Sequence, residues 1–212
     1  FLTEQITAII GRAPTSFRSG RYGFNEIVAR ALIENDYIVD SSVTPFVSWS
    51  GQRGLPGGKG GPDFIDSSPF PGKIELTTGS LTEIPITILP TIMPLDRNHD
   101  IARYYFRNVN NNIFLRALRK LFYTNQPVWL RPTPEMTAEL LGILVREARR
   151  INLPYITMMF HSSELMPGCS KYRPDDKSIE DLYSLLTRFF TNLELLGIGS
   201  VTLTEAAKDC KS

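Results

Sequence analysis

Short apolar runs alternate with amphipathic helical stretches along this chain, and that alternation limits the fold more than any single motif does. Apolar residues at helical spacing mark Leu2 to Ile10, stopped by Gly11. They also mark Glu26 to Glu34, where Ile27, Val28, Ala31 and Leu32 follow Asn25 as a cap. Further helices are predicted over Ile101 to Tyr123, with an Asn-rich break at Asn108 to Asn112, and over Ser178 to Leu196 with Ser178 as cap. Pro134 to Ile151 is a third, opened by Thr133 as cap and Glu135 in its first turn. Between these lie candidate strands at Pro14 to Arg18, Tyr37 to Val39, Glu83 to Leu89, Pro127 to Arg131, Tyr155 to Phe160 and Val201 to Leu203, the last followed by a short helical tail. Pro85 marks its strand as edge or irregular, because proline cannot donate to a ladder. The pattern as a whole argues for an α/β fold, a parallel sheet or a barrel.

At 212 residues the chain is one domain, long enough to bury a core. A net charge of +1 makes no electrostatic case for nucleic acid or an anionic membrane. No apolar run approaches the length of a membrane helix. Cys169 and Cys210 do not make a disulfide framework and do not decide the compartment, for which the cytoplasm is favoured. Residues 48–72 differ from the rest: they are dense in Gly and Pro, with Trp49, Phe64 and Phe70 among them, and read as a mobile surface loop or an ordered lid. The chain opens at Phe1 without a Met or a signal-like stretch, so it reads as a fragment or a processed product.

Chemistry gathers at the predicted strand ends, which is where α/β folds build their sites. Ser16-Phe17-Arg18-Ser19-Gly20-Arg21-Tyr22-Gly23, Tyr37-Ile38-Val39-Asp40-Ser41-Ser42 and Met158-Met159-Phe160-His161-Ser162-Ser163-Glu164 each run from apolar into polar residues. His161 can serve as an acid–base group or as a structural residue, whereas His99, in a polar loop, reads as solvated. Asp40 can orient and stabilise an imidazolium, or close an Asx-turn onto Ser41 and Ser42. Arg18 or Arg21 can lock a carboxylate in bidentate geometry; a surface salt bridge is the plainer role, more so for Arg21. No H-x-x-x-H, H-E-x-x-H or C-x-x-C exists in the chain, so it shows no metal signature. Serine-hydrolase, phosphate-loop and dinucleotide signatures are absent as well.

In this order, F-R-S-G-R-Y-G-F-N, Y-I-V-D-S-S-V-T-P, W-L-R-P and M-F-H-S-S-E-L-M-P-G resemble the divergent polysaccharide deacetylases of carbohydrate esterase family 4, over about Leu2 to Glu205. The resemblance implies a distorted (β/α)7 barrel that hydrolyses acetyl groups from an acetylated glycan or amino sugar, with a divalent metal, usually zinc, polarising the carbonyl and activating water. It implies catalytic roles for three residues: Arg18 as the clamp on the catalytic base, Asp40 as the acid that tunes the histidine, and His161 as that histidine, the general acid. Tyr22, near the position whose backbone N–H helps form the oxyanion site, Met159, at the leucine of the acetate pocket, and Arg21 are its substrate-binding candidates. The turn Arg-Ser-Gly-Arg-Tyr-Gly is one residue longer than the family's Arg-x-Pro-Tyr-Gly, which leaves Arg18 and Arg21 both open as the clamp. Ser41 stands where a Trp is usual. The family's Asp-Asp pair and H-x-x-x-H, which supply the base and the metal ligands, do not stand ahead of the other motifs in the chain, where Asp175-Asp176 comes after them, and would precede Phe1. A barrel lacking those strands would expose an edge and invite a homo-oligomer.

Two other readings follow from the same residues. One is a carbohydrate-binding or structural module that kept the fold and lost the metal. The other is a glycoside hydrolase using Asp40 and Glu164 as its carboxylate pair.

Overall fold

A computed structural model describes residues 1–54, 57–91, 97–122 and 127–210. Three parallel segments organise it. Strand β1 (Ser16–Phe17) pairs with β2 (Val39–Asp40), and β2 with β4 (Gly79–Glu83), in a register that sets Phe17 beside Asp40 and Asp40 beside Glu83. Strand β3 (Gly72–Leu76) folds back antiparallel onto β4, giving the order β1-β2-β4-β3. This hairpin is not anticipated by the sequence reading; it turns at Thr77-Thr78 and is closed by Gly79 at φ 137, a conformation that favours glycine. Strands β5 (Ile88–Leu89) and β6 (Val128–Trp129) form a separate antiparallel pair.

Backbone hydrogen bonds continue the order beyond the strands. Ile84 and Ile86 N–H donate to Asp40 and Val43 O, Leu130 N–H to Thr87 O, and Met159 N–H to Leu130 O, all at 2.8–3.1 Å. Apart from β3, successive segments of the chain therefore lie side by side in sequence order. The fold is mixed α/β with a small parallel and antiparallel sheet, and the described residues do not close a barrel. The stretch around Pro85 is fully buried rather than peripheral. Proline is tolerated because Ile84 and Ile86 donate toward β2, while bonds on the opposite side begin only at Thr87. Tyr155 to Phe160 is extended alongside Thr87 and Leu130 but forms no ladder.

The helices are α1 (Leu2–Ile10), α2 (Glu26–Glu34), α3 (His99–Asn108), α4 (Ile113–Phe122), α5 (Ala138–Arg150), α6 (Asp176–Leu195) and α7 (Leu203–Asp209). Asn25 caps α2 as its sequence position requires, through Oδ1 to Val28 N–H. Other caps lie elsewhere than predicted. Thr137 rather than Thr133 caps α5, because Thr133 to Met136 closes a turn first. Asp175 caps α6, with Ser178 as its reciprocal partner. Thr202 and Glu205 box the start of α7, so the predicted strand at Val201 to Leu203 is a helix entry. Tyr123, the predicted end of the Ile101 helix, lies outside the described residues. Helix α2 buries Ala29 and Leu32 against Tyr37, Phe64 and Leu81, and α5 and α6 bury Leu141, Leu144, Val145 and Phe189 against Leu89 and Leu130. Helix α1 buries no side chain. Among the described residues no helix is long and apolar enough to cross a membrane.

The Gly/Pro-rich segment is anchored at its base. Trp49 N–H donates to Pro62 O and Gly61 N–H to Trp49 O, and Phe46 and Phe64 are buried beneath. The returning chain passes so close that a Cβ on Gly60, at φ 103, would stand 2.1 Å from Ser50 O. Gly60→Ala is expected to cost about 1–3 kcal/mol and to change the tryptophan emission as Trp49 shifts, read by urea denaturation and fluorescence.

Candidate functional site

The parallel register brings two carboxyls together at the carboxyl ends of β2 and β4. Asp40 is fully buried and Glu83 nearly so, at 7% exposure. Ser42 donates to both Asp40 oxygens, through N–H at 2.8 Å and Oγ at 2.9 Å, and Val43 N–H donates to Glu83 Oε1 at 2.9 Å. The parallel register sets the two carboxyls beside each other, and burial raises both above the ordinary carboxylate range. Burial, and then Asp40 as neighbour, push Glu83 well above the ordinary carboxylate range.

This pair makes stability depend on pH with a definite sign. Above the ordinary carboxylate range the unfolded chain releases the Glu83 proton while the folded chain keeps it, up to the raised folded pKa. The fold therefore loses stability as pH rises across that window. Glu83→Gln removes the titrating carboxyl and keeps an acceptor for Val43 N–H. It is expected to flatten the decline, measured as urea midpoints from about pH 4 to pH 8; an unchanged slope would assign the pH dependence to other groups.

Arg18 ends β1 above this pair. Its Nε donates to Ser41 O and its Nη2 to Ser41 Oγ, both at 2.8 Å, while Ser19 N–H donates to Ser42 Oγ at 2.7 Å. Burial pulls the guanidinium below its usual pKa, opposed by Tyr22, Asp40 and Glu83. Arg21 is exposed, sits at φ 53 and makes no hydrogen bond or ion pair among the described residues. Of the two arginines, the site contains Arg18.

Tyr22, at φ 57 in a 3₁₀ turn (Gly20–Tyr22), points its hydroxyl toward Met159 Sδ at 3.7 Å. Its backbone N–H is engaged with Ser19 O at 3.2 Å, so Tyr22 contributes its ring rather than an oxyanion donor. Met159 is buried with Ile86 and Ile88, with Tyr22 and Trp129 packed on them. Burial raises the Tyr22 hydroxyl above its usual pKa, against the pull of Arg131 and Arg18.

His161 is exposed at the entry of a 3₁₀ turn (Ser162–Leu165). Its N–H donates to Glu164 Oε1 at 3.1 Å and its carbonyl accepts from Glu164 N–H at 2.9 Å. Glu164 is 1% exposed and is held by Arg131 Nη2 at 2.8 Å, and the Arg131 guanidinium lies 5.0 Å from the Tyr172 ring centre. Among the described residues no hydrogen bond joins His161 to Asp40. Asp40 and Glu164 belong to separate networks, one with Glu83 and Ser42, the other with Arg131 and His161. His99 is packed rather than solvated: it begins α3, is half-buried, and meets Phe46 edge-on at 5.5 Å, with burial lowering its pKa.

Sequence reasoning did not single out Glu83, and Trp129 and Arg131 entered it only within the W-L-R-P segment, with no role assigned. The signal for Glu83 was present: an acid ending an apolar run that pairs beside Asp40. Using it required knowing the register. A cavity of about 710 Å³ between Leu153–Met158, α6 and Leu196–Leu203 includes Arg18 but no other predicted site residue.

Fold and geometry together define a mixed α/β protein with its polar chemistry gathered at strand ends. No family model, no curated protein and no solved structure matches this chain.

Proposed function

We propose that this chain belongs to a deacetylase of the carbohydrate esterase family 4 kind, built on a distorted (β/α)7-type barrel and acting on an acetylated glycan or amino sugar. One observation carries the reading. The four segments that resemble the family contact one another: Arg18 with Ser41, Tyr22 with Trp129 and with Met159, and Arg131 with Glu164. Segments that are far apart in sequence and share one family's order lie against one another.

In this reading the acetyl group lies toward Met159, Ile86 and Ile88, and water adds to its carbonyl carbon. The bond to the sugar nitrogen or oxygen then breaks, and His161 gives a proton to the leaving amine or alcohol. Arg18 orients the carboxylate that serves as base. Asp40 acts at a remove, holding Ser42 and, with it, the loop that grips Arg18.

Zinc would polarise the carbonyl when bound. The described residues do not fit a zinc site: no three His, Cys, Asp or Glu side chains are grouped to hold one. The reading therefore requires ligands beyond them.

The test is acetate release from N-acetylglucosamine oligomers, with and without added zinc. Zinc-dependent release supports the proposal. Sugar binding without release at any zinc level would favour the inactive carbohydrate-binding module, and neither binding nor release would remove both.

A further inference from the structure

The chain has two tryptophans, Trp49 and Trp129, and both lie in one cluster with Tyr22. Trp49 stacks on Tyr22 with centroids 5.0 Å apart and planes at 26°. Tyr22 tilts against Trp129 at 5.9 Å, and the two indoles meet edge to face at 6.2 Å. All three rings are only half-buried.

The backbone goes to some length to hold them there. Arg21 and Tyr22 both adopt left-handed φ values that side chains disfavour, 53° and 57°. Trp49 is fixed by Nε1 to Thr44 Oγ1 at 2.8 Å, and the strand returning past it must be glycine, since a Cβ on Gly61 would stand 2.7 Å from Trp49 Cβ. Two segments far apart in sequence spend strained or glycine-only backbone on presenting aromatic rings that remain partly open.

Beside the rings are polar groups with spare capacity. Arg131 and Glu164 lie close enough to act electrostatically on the Tyr22 hydroxyl. Arg131 Nε and Glu164 Oε2 are buried with no hydrogen-bond partner among the described residues, and Glu164 is 1% exposed. A pyranose combines a strip of C–H groups, attracted to the negative face of an aromatic ring, with a rim of hydroxyls that need donors and acceptors. We propose that Tyr22, Trp49 and Trp129 form a platform on which a sugar ring stacks, with Arg131 and Glu164 meeting its polar edge. This rests on the acetylated-sugar reading above and names the part of the site that holds the ring rather than the acetyl group.

Because the only two tryptophans are in the platform, intrinsic fluorescence reports on it directly. The experiment titrates the full chain with tetramers of N-acetylglucosamine, of glucosamine and of glucose, following emission, with calorimetry and acetate release in parallel. A saturable change with the N-acetylglucosamine tetramer is expected, with Kd raised about tenfold or more in Trp49→Ala and less in Trp49→Phe, which keeps a ring and guards against a folding defect. Saturable emission change without acetate release would leave the platform standing and remove the deacetylase reading. Acetate release with KM unchanged in Trp49→Ala would remove the platform and leave the deacetylase. Calorimetric binding without an emission change, or no binding to any of the three, would overturn the platform.

Discussion

Replacing Arg131 with Met lowers the stability of the fold by about 3–5 kcal/mol, because it strands the Glu164 carboxylate in a site that is 1% exposed. Arg131 Nη2 is the only side-chain donor that the described residues give Glu164; the remaining donor is the N–H of His161. Losing the guanidinium also removes the cation seated over Tyr172. The double variant Arg131→Met, Glu164→Leu is expected to recover most of the loss, since apolar replacement of both partners removes the desolvated charge along with its mate. Urea denaturation at neutral pH measures both. A single variant within 1 kcal/mol of the parent, a threshold below the cost of an unsatisfied buried charge, would show that the pair does not hold this end of the fold. The double variant separates stability from function. It keeps the fold but frees the His161 backbone from its carboxylate anchor, so any acetate release should stay low while the urea midpoint returns.

In a preparation that releases acetate from N-acetylglucosamine oligomers, His161→Ala lowers kcat by about two to four orders of magnitude with little change in KM. In the deacetylase reading the size follows from removing a general acid that acts in the transition state and contributes little to ground-state binding. His161 is exposed and its fixed contacts are backbone ones, so its side chain can be removed without opening a cavity. A folding defect is therefore not expected, and the urea midpoint of the variant should match the parent. His99→Ala is the control. That ring packs on Phe46 at the start of α3, so its loss should reduce stability and leave kcat alone. Full turnover in His161→Ala would take His161 out of the proposed mechanism.

What could be read in advance divides along physical lines. The helices at Leu2, Glu26, Pro134 and Ser178 were legible because an amphipathic stripe and a capping residue are local properties. Their exact starts were less so: Thr133 and Thr137 can each cap, and the choice fell to Thr137 because Met136 N–H bonds back to Thr133 O. The strand ends at Arg18 and Asp40 were legible as polar residues closing apolar runs, whereas the run before His161 is extended but forms no strand. The hairpin of β3 and β4 was missed, since Thr77-Thr78 is not a typical turn pair and its Gly79 follows rather than forms the turn.

The sequence by itself determined an α/β chain with polar chemistry at several strand ends and a Gly/Pro-rich excursion between two of them. Those features depend on residue type and spacing over a few positions. Only the tertiary structure decided which of those groups meet. Asp40 found Glu83 through the parallel register of β2 and β4, Glu164 found Arg131 rather than a second carboxylate, and Trp49 folded back over Tyr22 beside Trp129. Each partner lies at least 27 residues away along the chain. Contacts over such separations are set by strand pairing and by burial of the core, which no local stretch of sequence encodes.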